Sequence, residues 1–301
     1  MSILLYFQNK FQDGESILCR LLRAAAYDTW ERIAFSRTRP GMKIHETTIT
    51  QNLVYELNQI KWLQGISSFS IYESINEASN GDDLEICIIQ RDNHVYKYAV
   101  QAKIIYHSLR IGGRIRLDDG VYKQFKHTVG AQNQIDLLLA YAKGKGAIPL
   151  YLLYNFAARK LMHGAACNID FDTTQYGCSL VAASHLKDNY SDSSGNLRDN
   201  VRFSDIHPGY GIPWFMLACC FTGFSLEQTL SSLKIPLDSN AISAYNINEI
   251  ESENERNWKL LSPVSELLDT KILVDSIGKS NKEYVTRFSP KYRIVISNKI
   301  L

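Results

Sequence analysis

Two hydrophobic rhythms alternate along this chain, and their order predicts its architecture. Over residues 15–37, Ile17, Leu18, Leu21, Leu22 and Ala25 recur at helical spacing. Residues 47–60 repeat that period through Ile49, Leu53, Leu57 and Ile60, with threonines suited to a helix start. The rhythm then changes. Residues 66–73 are short, serine-rich and β-leaning, and residues 84–90 alternate, with Leu84, Ile86 and Ile88 opposed to Asp83, Glu85, Cys87 and Ile89. Arg91, Asp92, Asn93 and His94 supply turn chemistry, and residues 95–105 alternate again as the partner strand. Helical spacing returns over residues 132–143 (Ile135, Leu138, Leu139, Ala142) and stops at Gly144 and Gly146. Residues 148–154 form the unbroken apolar run of a buried strand.

The order helix, three strands, helix, strand predicts an α/β fold: a mixed central sheet flanked by helices. Within the 301 residues this core occupies 41–160, preceded by a helical segment (1–40) and followed by an α+β elaboration packed on it (161–301). In that last part, residues 187–205 read as an exposed polar loop, 213–221 and 225–233 as helices, 246–257 as an acidic solvated stretch and 292–297 as a final strand. Residues 110–126, basic and glycine-containing, read as a mobile loop rather than a packed element.

Composition narrows the classes. No apolar run approaches the roughly 18 residues of a membrane helix, and the first residues lack the basic lead-in of a secretory signal. Six cysteines without a C-x-x-C pair read as buried thiols in a reducing cytosol, so the expected location is cytoplasmic. No two histidines have zinc-ligand spacing.

The candidate chemistry sits on the two alternating strands. Period 2 puts Asp83 and Glu85 on one face of the first, and Gln101 and Lys103 on one face of the second. If the faces coincide, hard oxygen donors lie beside an ammonium group, a layout suited to magnesium and a phosphodiester. Asp83 is the primary ligand in this reading, with Glu85 beside it, Gln101 a neutral carbonyl donor, and Lys103 acting on the attacking water or on developing charge. Glu46 falls on the apolar stripe at the start of its helix, where it either caps the helix or reaches the metal. Glu77 is a further candidate ligand.

Charge adds a partner. The chain is only +2 overall, yet residues 97–145 hold nine bases (Lys97, Lys103, Arg110, Arg114, Arg116, Lys123, Lys126, Lys143, Lys145) against three acids, Asp118, Asp119 and Asp136. Arg110, Arg114, Arg116, Lys123 and Lys126 are the candidate contacts to a phosphate backbone, and Tyr106, His107 and Tyr122 either stack on bases or pack. A solvated basic loop is the plainer reading.

These residues resemble the PD-(D/E)xK, or restriction-endonuclease-like, superfamily across roughly residues 46–155. Asp83 matches its second-strand Asp, and Gln101-Ala102-Lys103 is similar to the Q-x-K of its Mrr-like branch. Glu46 matches the accessory acid of the first helix. The chain also looks like an uncharacterised bacterial group of that superfamily through residues 46–50, 81–85, 101–103, 134–136 and 149–155. His207-Pro208 and Pro213-Trp214 extend that likeness. The resemblance implies a magnesium-dependent deoxyribonuclease, with manganese a substitute, of the restriction or anti-phage kind. It acts as a homodimer or beside a partner protein that directs it. Two other readings stand beside it: a nucleic-acid-binding module of the same fold without catalysis, and an interaction scaffold.

Overall fold

The computed structural model describes residues 2–10, 16–39, 41–75, 83–107, 109–110, 116–117, 120–129, 132–158, 163–236, 242–262 and 288–297. Three helices open the chain: α1 (Ile3–Asn9), α2 (Ile17–Thr38) and α3 (Glu46–Leu63). The Ser16 hydroxyl caps α2 by accepting the Cys19 backbone N–H at 3.2 Å. The stripe Ile49, Leu53, Leu57 and Ile60 is buried, so α3 turns its predicted face to the core.

Strands β1 (Phe69–Ser74), β2 (Leu84–Ile89) and β3 (His94–Ile104) follow, then α4 (Gln134–Gly144) and β4 (Ile148–Tyr154). The remainder supplies β5 (Cys178–Ala182), α5 (Ala183–Tyr190), β6 (Ile212–Pro213) and α6 (Leu226–Ser232). Last come β7 (Tyr245–Asn246), α7 (Ile247–Asn257), β8 (Trp258–Leu260) and β9 (Tyr292–Ser297). Among the described residues, these nine strands form one mixed sheet in the order β6-β5-β4-β3-β2-β9-β1-β8, with β7 against the start of β3.

Helices cover both sides. Thr50 of α3 meets the Tyr154 hydroxyl at 2.8 Å and Cys178 meets Thr29 of α2 at 3.3 Å, so α2 and α3 share one face. Gly177 permits that approach, because a Cβ there would collide with the Ala26 carbonyl. On the opposite face, Tyr141 of α4 reaches Glu85 and Glu253 of α7 reaches Lys97. A strand covered on both sides has no solvent face, and every residue of β2 is buried.

Several expectations change here. β9 is not an appendage. It lies between β1 and β2, antiparallel to the first and parallel to the second, so the last described strand is structural core. The basic segment expected as a mobile loop is partly packed: Tyr122 and Phe125 are buried, and Val121 bridges Tyr106 and Arg202. In the expected exposed loop 187–205, Leu197, Val201 and Phe203 are buried. Residues 247–257, expected to be solvated, form α7, whose Ile250 and Asn254 face inward. Finally, the cysteines are not all thiols: Cys19–Cys219 and Cys167–Cys220 are disulfides, with Cα separations of 5.3 and 5.7 Å. Cys87 and Cys178 stay free and buried. Tertiary folding brings the pairs together across 200 and 53 residues, which no spacing rule detects. Disulfides persist in oxidising surroundings, so the cysteine argument for a cytosolic location falls away.

Candidate active site

The register of three strands assembles the site. β2 and β3 are antiparallel, with Leu84 opposite Val100. One step further, the same register sets Asp83 opposite Gln101, and opposed residues share a face. β3 and β4 are parallel, with Gln101 beside Tyr151 and Lys103 beside Leu153. Asp83, Gln101 and Tyr151 therefore form a transverse row, and Lys103 lies two residues along β3 on the same side. The row is enclosed: Asp83, Gln101 and Lys103 are 7%, 2% and 3% exposed. The Lys291 N–H, just before β9, donates to the Asp83 carbonyl at 3.0 Å and fixes the backbone there.

Glu46, the first residue of α3, completes the group from the other layer. Its Oε1 is 3.5 Å from Lys103 Nζ. The Thr50 hydroxyl donates to the Glu46 carbonyl at 3.2 Å while holding Tyr154, so the first turn of α3 is pinned to β4. Burial raises the Tyr151 phenol above its ordinary pKa, and the charges of Asp83, Glu46 and Asp136 raise it further. The phenol stays protonated. His127, at the exposed rim, is pushed down by partial burial and by the Lys103 charge, which favours neutral imidazole.

Not every expected residue joins the site. Glu85 shares the face, but Arg293 holds its Oε1 at 2.5 Å and the Tyr141 hydroxyl donates to its Oε2 at 2.9 Å. Arg293 also meets Glu253 at 3.1 Å, and Lys97 meets Glu253 at 2.5 Å, so buried Glu85, Arg293 and Lys97 are linked to half-buried Glu253. Burial opposes ionisation of Glu253, yet the Lys97 hydrogen bond and the Arg293 charge outweigh it and lower its pKa. Glu85 thus serves here as an ion-pair partner of Arg293. Alternation found its face but could not show an arginine arriving from β9. Lys97 leaves the count of phosphate-facing bases for the same reason.

Lys123 and Lys126 are exposed, and Lys126 Nζ lies 3.8 Å from Asp192. Arg110 and Arg116 sit in a two-residue hairpin pairing, their side chains outside the described residues, where Arg114 and Glu77 also lie. Tyr122 packs: its hydroxyl donates to Asn155 at 2.6 Å and its ring stacks on Phe125 at 4.9 Å. Arg37 covers the Tyr106 ring at 5.0 Å, and His107 tilts against Phe156 at 5.4 Å.

Whether these groups suit a cation can be judged from their polar atoms. Among the described residues, Gln101 Oε1 and the Tyr151 hydroxyl are buried without a hydrogen-bond partner. Native interiors rarely leave such atoms unsatisfied. Among the described residues no three Asp, Glu, His or Cys side chains form a metal cage. Magnesium does not need one: it takes one or two carboxylates, keeps several waters and shares phosphate oxygens. Asp83, Glu46 and the Gln101 amide oxygen fit that demand.

Residues 18–293 match DUF6615, described as a family of unknown function. The chain belongs to DUF6615. Its boundaries enclose the whole site, from Glu46 to the Lys291 contact. No match was found among curated proteins or solved structures. Among the described residues, no helix of this DUF6615 chain is long and apolar enough to cross a membrane.

A second polar cluster of this DUF6615 chain escaped the sequence reading. Asn155 Nδ2 donates to the Ser179 hydroxyl at 2.9 Å, and that hydroxyl lies 2.7 Å from His207 Nε2. Opposite, His207 Nδ1 lies 3.2 Å from the Phe203 carbonyl. The pairing resembles a nucleophile with its base, and Ser179, Asn155 and His207 are all buried. It locks β4, β5 and the turn before β6 together. Only the isolated His207-Pro208 dipeptide hinted at it.

Proposed function

We propose that this protein is a magnesium-dependent deoxyribonuclease built on a restriction-endonuclease-like core of the PD-(D/E)xK kind, serving restriction or anti-phage defence. One observation carries the reading: Asp83, one residue before the Leu84–Val100 pair and so on the Gln101 face, with Lys103 two residues along and Glu46 3.5 Å from its ammonium group. Helix α3, strands β1 to β3, helix α4 and strand β4 supply the expected succession, although β9 separates β1 from β2.

Asp83, Glu46 and the Gln101 carbonyl would hold magnesium, or manganese in its place. When bound, such an ion supplies an activated water and neutralises phosphoryl charge. The protein's own groups do the rest. Lys103, fixed by Glu46, orients the attacking water or balances charge as the new P–O bond forms and the ester P–O bond breaks. The surface lysines Lys123 and Lys126 follow the DNA backbone, an attraction that weakens as salt rises.

Supercoiled plasmid with magnesium or manganese tests this. The wild type is expected to nick or linearise it, and Asp83→Ala and Lys103→Ala to lose cleavage by at least about 10²-fold while keeping the wild-type circular dichroism. Equal cleavage by both variants rejects the assignment. Salt-sensitive DNA binding without cleavage identifies a binding module instead.

A further inference from the structure

We propose that Tyr151 is a positioning residue of the cation site, its hydroxyl ordering the water carried by a hydrated divalent ion beside Asp83 and Gln101. This rests on the metal-dependent reading above and adds a residue outside the motif that suggested it. The argument is geometric. Tyr151 is the β4 register partner of Gln101, so the two side chains share a face, and Asp83, one residue before β2, falls opposite Gln101 when the β2–β3 register is continued one step. The Tyr151 ring is fixed edge-on by Phe125 at 5.6 Å. Neither the Gln101 oxygen nor the Tyr151 hydroxyl has a hydrogen-bond partner among the described residues, although both atoms are buried.

An amide oxygen needs a donor or a cation, and a phenol both donates and accepts. A hydrated ion satisfies the two at once: the amide oxygen meets the ion or its water, and the phenol holds a water in place. Charge agrees. The charges of Asp83, Glu46 and Asp136 act on the phenol, while Lys103 pairs with Glu46 and Lys187 with Asp136. A neutral phenol is a poor direct ligand for magnesium, which favours a water-mediated contact.

The test compares wild type, Tyr151→Phe and Asp83→Asn, reading Mn2+ binding by electron paramagnetic resonance and thermal unfolding in EDTA. Tyr151→Phe is expected to unfold like wild type in EDTA yet bind Mn2+ about tenfold more weakly, the loss typical of groups that orient a metal's ligands. Asp83→Asn should lose binding. If Tyr151→Phe binds Mn2+ like wild type while Asp83→Asn does not, the role of Tyr151 is wrong and the metal site stands. If Tyr151→Phe is destabilised in EDTA, the hydroxyl is structural and the proposal falls. If wild type binds no Mn2+, the metal-dependent reading falls with it.

Discussion

His207 carries its proton on Nδ1, toward the Phe203 carbonyl, and presents Nε2 to Ser179. Its ring stacks on Phe203 at 4.2 Å and meets the edge of Tyr176 at 5.0 Å, so a charged imidazole has no water to turn to. Burial lowers its pKa to about 3. In the unfolded chain the same ring titrates near 6.5, so between those values the unfolded state binds more protons. The stabilisation is complete above pH ~6.5 and is lost as pH falls toward 3, a range of at most about 5 kcal/mol. Urea unfolding from pH 7 to pH 4 should show this loss, and His207→Gln should flatten that acid limb. At this scale the sequence spoke unevenly. Asp83, Gln101 and Lys103 were legible because their meeting depends on period 2 and one short turn. Glu46 followed from helical phase alone. Tyr151 was not, since it sits in an apolar run that reads as core, and the Arg293 partner of Glu85 was not, since it lies on a distant strand.

Among the elements, β9 most changes how the chain must be cut. Its alternation from Tyr292 to Ser297 was readable, but its place was not, because pairing between distant strands leaves no mark in local rhythm. It contributes Ile294 and Ile296 to the core and Arg293 to the buried charges around Glu85. A chain lacking residues 288–301 exposes one edge each of β1 and β2 and strands Glu85 without its arginine, which costs about 3–5 kcal/mol alone. Such a truncation should lose cooperative thermal unfolding, as followed by circular dichroism, whereas an attached elaboration would leave the 41–160 core melting on its own. Helix α7 teaches a related point. Its acidic composition suggested solvent, yet one turn presents Glu253 and Asn254 to Lys97 and Arg293.

For the whole molecule, the two disulfides converge on adjacent residues, Cys219 and Cys220. Cys19–Cys219 ties α2 to the segment after β6, and Cys167–Cys220 ties the neighbouring residue to the hairpin of Gly164–Ala166 and Ile169–Phe171. Thiol titration of denatured, unreduced protein should find two reactive groups, Cys87 and Cys178. Reduction should lower stability by about 2–4 kcal/mol per bond in urea titrations; six thiols before reduction would refute the pairing. The position of β9 also bears on how the protein is made. Among the described strands it is the last to leave the ribosome, yet it must slide between two that emerged long before. Until it arrives, β2 lacks a neighbour and the Asp83 carbonyl lacks the Lys291 N–H. A nascent chain therefore carries Asp83 and Lys103 in unfinished form, and the candidate site is complete only after synthesis has passed that strand.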